Sequence, residues 1–185
     1  MNRRSLLKAL VAAPLAGAAW VAQAQKKGLA MVEELQRNWK TFLAAGTPVP
    51  AATDAVKLSK DEWRKRLSPQ AYNVLREDGT ERAGTSPLDR EKRAGVFVCA
   101  GCDLPLFTSA MKFDSGTGWP SYFTTIPDVF TEKTDYYLLY PRTEYRCKRC
   151  DGHHGHVFKD GPPPTGLRYC NNGVALKFIP KDAKA

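Results

Sequence analysis

The rhythm of apolar and polar positions changes three times along the 185 residues. Residues 9–22 form a run of 14 almost wholly apolar positions, with one proline and one glycine, behind Arg3, Arg4 and Lys8. From residue 26 to 45, Leu29, Val32, Leu35, Trp39, Phe42 and Leu43 recur at roughly helical spacing opposite a charged face, which predicts an amphipathic helix. GTPVPAATDA breaks that pattern and reads as a linker. Ser59 and Glu62 predict a capping box, and Ser68-Pro69 an N-cap with proline at the first helical position, so two short helices follow. From Gly95 the pattern becomes short β-rich pieces, GVFVC, DYYLLY, TEYRC, HVF and VALKFI, separated by Gly, Pro and Asp. No helix-length run lies between them, so they predict a mainly β fold of antiparallel sheet around a small core, not a βαβ layout.

The first segment changes the domain count. A basic start, an apolar run and Ala22-Gln23-Ala24 read as an export signal, residues 1–24, cut after Ala24. Fourteen apolar residues fall short of the roughly 20 that span a bilayer, so no stable membrane insertion is expected once the signal is gone. The arginine pair followed by Ser5, Leu6, Leu7 and Lys8 resembles the twin-arginine signal of bacteria, which implies a folded, metal-loaded cargo and a periplasmic location. Residues 25–57 are then a helical extension and linker, and 58–185 the main domain. The formal charge of +9, or +6 without the signal, is spread among acidic residues. No basic arm or basic-aromatic stripe is present to follow a phosphate backbone, which argues against nucleic acid as a partner.

Four of the five cysteines form two C-x-x-C pairs, Cys99/Cys102 and Cys147/Cys150, separated by 44 residues. Each pair curls a strand end so that two sulfurs face one point, and two such knuckles supply a tetrahedral shell that suits one structural Zn²⁺ per chain. Two disulfides, a redox-active pair or an iron–sulfur centre are the alternatives. Redox C-x-x-C pairs stand at helix starts, whereas both pairs here follow β-type runs.

The fifth, Cys170, lies in LRYCNNG, where Arg168, Cys170 and Asn172 share a face if the segment is a strand. A neighbouring cation or imidazolium would store it as a thiolate nucleophile; the alternative is a buried inert thiol. All three histidines, His153, His154 and His156, follow the second knuckle in DGHHGHVF and could supply a proton, or form a surface cluster or a second metal site. In KFDSGTGWPSYF, Trp119 either packs into the core or presents its indole to a methyl-sulfur group.

These segments together with GTERAGTSPL, GVFVCAGCDLPLF and RTEYRCKRCDGHHGHVFKDGPPPTGLRYCNNGVALKFIP resemble the B-type peptide methionine sulfoxide reductases, from about Leu58 to Pro180. The resemblance implies two antiparallel sheets (a β-tent-like fold) with zinc opposite the active centre. It implies reduction of the R epimer of methionine sulfoxide in peptides and proteins. It assigns Cys170 as the catalytic cysteine, His153 and His156 as active-site histidines, and Asn172, Arg168 and Asp160 as the polar residues around the sulfur. It also makes Trp119 the substrate-methyl site and Cys99, Cys102, Cys147 and Cys150 the zinc ligands. The substrate sulfoxide would leave Cys170 as a sulfenic acid.

Two positions depart from the family pattern. Thr117 stands where many members have a resolving cysteine, so regeneration is expected from an external thiol, thioredoxin-like or other. Leu138 and Leu139 replace a common His-Gly pair, with Tyr136, Tyr137 and Tyr140 nearby to rebuild that side of the pocket. A zinc-ribbon-like binding module without catalysis and a C-x-x-C thiol-disulfide oxidoreductase are the rival readings.

Overall fold

A computed structural model describes residues 3–136 and 141–183, with residues 3–19 described by their backbone alone. Two antiparallel sheets form its body. The smaller has the order β2 (Pro105–Thr108), β1 (Gly95–Cys99), β9 (Leu176–Pro180). The larger has the order β3 (Lys112–Phe113), β4 (Ser121–Tyr122), β8 (Arg168–Asn171), β7 (His153–Phe158), β6 (Arg142–Cys147), β5 (Phe130–Asp135). GVFVC is buried throughout because it is the central strand of a covered sheet, which is why it reads as a continuous apolar run. An aromatic core joins the sheets: Phe107 stacks on Tyr122 with centroids 3.8 Å apart, Phe97 meets Tyr122 edge-on at 5.3 Å, and Tyr145 meets Tyr169 at 5.4 Å. The mainly β, two-sheet architecture is the expected one.

The helices preceding it are α2 (Lys60–Arg66) and α3 (Pro69–Glu77). Both halves of the Ser59/Glu62 capping box are made, and the Ser68 hydroxyl accepts from the Ala71 N–H with Pro69 in the first turn. Further upstream, α1 (Arg3–Arg37) runs without a break through the expected signal boundary, and a 3-10 turn, Trp39–Phe42, completes the amphipathic segment. This segment lies against the main domain. Gln25 Nε2 donates to the Pro164 carbonyl at 2.6 Å, Gln36 Nε2 donates to Thr124 Oγ1 at 2.8 Å, and Val32 is buried. The irregular stretch after it returns to the second cysteine knuckle, where the Val56 N–H donates to the Arg149 carbonyl at 2.8 Å. Among the described residues no helix is long and apolar enough to cross a membrane.

One strand differs from expectation. One neighbour of TEYRC is FTEKTD, an edge strand whose central four residues are exposed and polar and which the apolar pattern does not announce; it takes in Asp135, the first residue of DYYLLY. An edge strand facing solvent has no apolar run to announce it. Tyr137, Leu138, Leu139 and Tyr140 lie outside the described residues, so the departure at Leu138 and Leu139 has no structural account. VALKFI is also shorter as strand than expected, since its start is a 3-10 turn, Gly173–Ala175.

Candidate active site and metal centre

Register across the larger sheet builds one row of side chains. Ser121 on β4 opposes Cys170 on β8, Cys170 opposes His156 on β7, and His156 opposes Glu144 on β6. Directly opposed residues of antiparallel strands share a face, with Cβ atoms about 4.5–5.5 Å apart. Tyr169 and Tyr122, one position along, point the other way into the aromatic core, so the row faces away from it. Cys170 is half-buried. Burial pushes its thiol above the usual range, and the Arg168 guanidinium and Thr117 hydroxyl beside the sulfur only partly offset this. Burial therefore works against the stored thiolate that the neighbouring guanidinium favours.

Arg168 is itself held by Asp160 through two bonds of 2.8 Å, which keep the carboxyl below its usual value and raise the guanidinium. A chain of hydroxyls leads away from the sulfur through Thr117. Thr117 Oγ1 lies 2.9 Å from Ser115 Oγ, Ser115 Oγ lies 2.8 Å from Ser121 Oγ, and Ser121 donates to the Trp119 carbonyl at 3.0 Å.

A β-bulge explains how two histidines three positions apart reach one face. Tyr145 opposes Gly155 and Arg146 opposes His153, leaving His154 as the extra residue on β7. Strict alternation would send His153 and His156 to opposite sides. With the bulge their rings lie together at 5.4 Å, and His154 turns into the core beside Tyr145 and Phe130. His153 Nδ1 is 2.7 Å from Glu144 Oε1, and His156 Nε2 is 2.8 Å from Asp135 Oδ2. Burial would raise Glu144, yet bonds from His153, Lys133 and Arg146 outweigh it and hold the carboxyl low. Burial lowers His156 and His154 below the usual imidazole value, His154 to about 3, so both rings are neutral at pH 7. A cleft of about 800 Å³ opens onto His153 and His156.

Two expected residues stand differently. Strand β8 ends at Asn171, so Asn172 lies beyond the alternation with Arg168 and Cys170. Its carboxamide is engaged by backbone: Nδ2 donates to the His154 carbonyl at 3.0 Å and Oδ1 accepts from the Glu81 N–H at 2.9 Å. Trp119 is half-buried, and its indole N–H donates to the Glu81 carbonyl at 3.1 Å. Glu81, to which the GTER segment by itself assigns no role, links these parts. Its carboxylate also accepts from the N–H groups of Gly173 (2.5 Å) and Val174 (3.0 Å), fixing the turn after Cys170. Asn171 likewise carries no sequence signal; fully buried, it accepts from the Tyr145 hydroxyl at 2.9 Å and lies 3.3 Å from His154 Nδ1.

The four remaining cysteines are buried and unpaired by disulfides, with all four sulfurs within 4.8 Å of one another. Cys99 and Cys150 stand 3.6 Å apart, and Cys102 and Cys147 3.5 Å. A tetrahedral ZnS₄ unit with bonds of about 2.3 Å has edges of about 3.8 Å, so the set fits zinc with no position left for water or substrate. The two knuckles share one backbone plan. The Asp103 N–H donates to the Cys99 carbonyl (2.9 Å) and the Asp151 N–H to the Cys147 carbonyl (2.8 Å), both aspartates having positive φ. The repeated C-x-x-C-D is the signal of that plan. Guanidiniums brace the knuckle carbonyls: Arg76 donates to Cys150 (2.7 Å) and Arg149 to Cys102 (2.6 Å).

Comparison with known proteins agrees with this geometry. Residues 67–180 match the SelR domain family. A peptide methionine sulfoxide reductase MsrB of Pseudomonas putida (strain W619) is 54% identical over 125 residues, 66% of this chain and 92% of the relative. The MsrB of Agrobacterium fabrum is 52% identical over 126 residues, 68% of this chain and 93% of the relative. The chloroplastic peptide methionine sulfoxide reductase B1 of Arabidopsis thaliana is 52% identical over 122 residues, 65% of this chain and 60% of the relative.

Proposed function

The chain belongs to the SelR-domain family, and from that membership we propose how its own residues reduce methionine sulfoxide and which epimer they take. It is a methionine sulfoxide reductase with a structural zinc site at Cys99, Cys102, Cys147 and Cys150. The observation that carries the reaction path is the cross-strand pairing of Cys170 with His156. Neutral His156 takes the Cys170 proton, and the sulfur so freed attacks the sulfoxide sulfur. The imidazolium returns that proton to the sulfoxide oxygen as the S–O bond breaks. The hydroxyl passes from the methionine sulfur to the Cys170 sulfur as the bond between the two sulfurs breaks, so Cys170 becomes a sulfenic acid, the methionine sulfide leaves, and no further proton or electron is required.

His153 lines the same cleft as a second polar contact. Arg168, held by Asp160, favours the thiolate formed during attack, and Asn172 holds the turn behind the nucleophile. Trp119 receives the substrate methyl; its anchoring on Glu81 supports a fixed indole there. With acid, nucleophile and indole each fixed in place, one sulfoxide configuration fits, and we assign the R epimer in peptides and proteins.

With Thr117 beside the sulfur and four thiols committed to metal, regeneration falls to external thiols, thioredoxin-like or other. Two of them restore the Cys170 thiol and leave as a disulfide with one water. The amino-terminal pattern supports export by the twin-arginine route, so the reductant is a periplasmic thiol. The metal plays no part in the reaction steps; its thiolate shell ties the two knuckles together.

The test supplies peptide methionine R-sulfoxide and S-sulfoxide separately with a dithiol. The expected result is turnover of the R form alone, abolished in Cys170→Ser with zinc content retained. One equivalent of substrate without reductant should add a single oxygen to Cys170, read by mass spectrometry. Full activity of Cys170→Ser would overturn the mechanism, equal use of both epimers the stereochemistry, and a Cys170 disulfide with zinc release the external-thiol route.

A further inference from the structure

His156 reaches the cleft with one ring nitrogen already committed. Its Nε2 lies 2.8 Å from Asp135 Oδ2, and the same oxygen accepts from Arg142 at 2.6 Å. Asp135 ends β5, Arg142 begins β6, and the two oppose each other in register, so the pair closes the sheet edge beside the imidazole. A carboxylate oxygen only accepts, so a lone pair on Nε2 would face another lone pair; the proton therefore belongs on Nε2. That leaves Nδ1 as the basic nitrogen. His153 differs: its Nδ1 faces Glu144, and its Nε2 is buried without a partner among the described residues.

We propose that Asp135 is the positioning residue of His156: it fixes the Nε2–H tautomer, leaves Nδ1 to carry the proton between Cys170 and the sulfoxide oxygen, and balances the imidazolium formed in between. Arg142 holds the carboxylate in that orientation. The inference rests on the proposed role of His156. Among the described residues, the other titratable groups beside this ring on the strands packed against it are Glu144 on β6, His153 along β7 and Cys170 on β8. Lys133 and Arg146 already engage Glu144, whose nearer imidazole is His153. Asp135 is thus the carboxylate in hydrogen-bond contact with His156. Its effect opposes that of burial, which favours the neutral ring needed to accept the thiol proton. A buried ring receives that proton more readily when an anion stabilises the charged form.

The tautomer is read in the unmodified zinc-loaded protein by ¹⁵N–¹H correlation of the imidazole nitrogens, assigned by the signal lost in His156→Gln. A protonated Nε2 and bare Nδ1 at pH 8 are expected, and the opposite tautomer would overturn the proposal. In Asp135→Asn the His156 titration should move to lower pH, with kcat reduced roughly 100-fold, a loss within the range of positioned proton transfer. Asp135→Glu should recover part of both. A His156 titration unchanged in a folded Asp135→Asn protein would reduce Asp135 to a structural role. Because the NMR readout needs no turnover, a failed activity assay of the wild-type enzyme would count against the reaction assignment and leave the tautomer result intact.

Discussion

His154 shows how much one inserted residue alters the fate of a side chain. The bulge sends it inward, where Nδ1 meets Asn171 Oδ1 at 3.3 Å and Nε2 has no partner among the described residues. Burial lowers its pKa to about 3, far below the usual imidazole value near 6.5. The sign of the stability effect follows from the depressed folded value. Between pH 6.5 and about 3 the unfolded chain binds the proton that the folded chain refuses, so the contribution is complete above 6.5 and declines as pH falls. The slope is about 1.4 kcal/mol per pH unit. Urea unfolding at pH 7.5 and 5.5, with zinc content followed, should show that loss in the wild type and a smaller one in His154→Phe. Equal pH dependence in both proteins would count against the buried neutral histidine. Residue identity alone places three histidines within four positions; it does not distinguish the one that becomes core from the two that face the cleft.

At the level of elements, β7 is the strand on which the site depends. Gly155 follows the bulge at a positive φ of 157°, and a Cβ added there would overlap the Cys170 carbonyl oxygen. Gly155→Ala must therefore push β7 away from β8, separating His156 from Cys170 and disturbing the bulge that gathers the two imidazoles. The expected outcome is a loss of roughly 1–3 kcal/mol in stability, as for other forced overpacking, with a fall in activity larger than the unfolded fraction explains. Thermal melting together with kcat/KM on the folded protein checks this; a variant with wild-type melting and kinetics would show that the two strands tolerate separation. The short helices are legible in the sequence because capping is local chemistry between residues three apart. The edge strand FTEKTD is not, because its order comes from pairing with β6, and its exposed polar residues have no apolar period of their own.

For the whole molecule, the open question is the segment upstream of the SelR match. α1 continues through Ala24 and Gln25, where export processing is expected, and among the described residues its hydrogen bonds to the domain, from Gln25 and Gln36, lie at or beyond Gln25. A processed chain keeps both of these. On the proposed export reading, the mature protein should begin at Gln25 by amino-terminal sequencing and melt at the same temperature as full-length protein refolded with zinc; an exported form still beginning at Met1 would overturn the cleavage reading. The amino-acid sequence by itself determines the features carried by side-chain type and short spacing: two C-x-x-C pairs, a lone cysteine, clustered histidines, capping residues and a basic-then-apolar amino-terminal pattern. Metal ligation, capping and export signals work over a few residues, so their physics is written locally. What tertiary structure decided was long-range: the register that sets Cys170 opposite His156, the bulge that turns His154 inward, the early end of β8 that gives Asn172 to the backbone, and the meeting of Asp135 and Glu81 with residues 21 and more than 90 positions away. Those depend on pairing between distant strands, where a one-residue slip exchanges the buried and exposed faces.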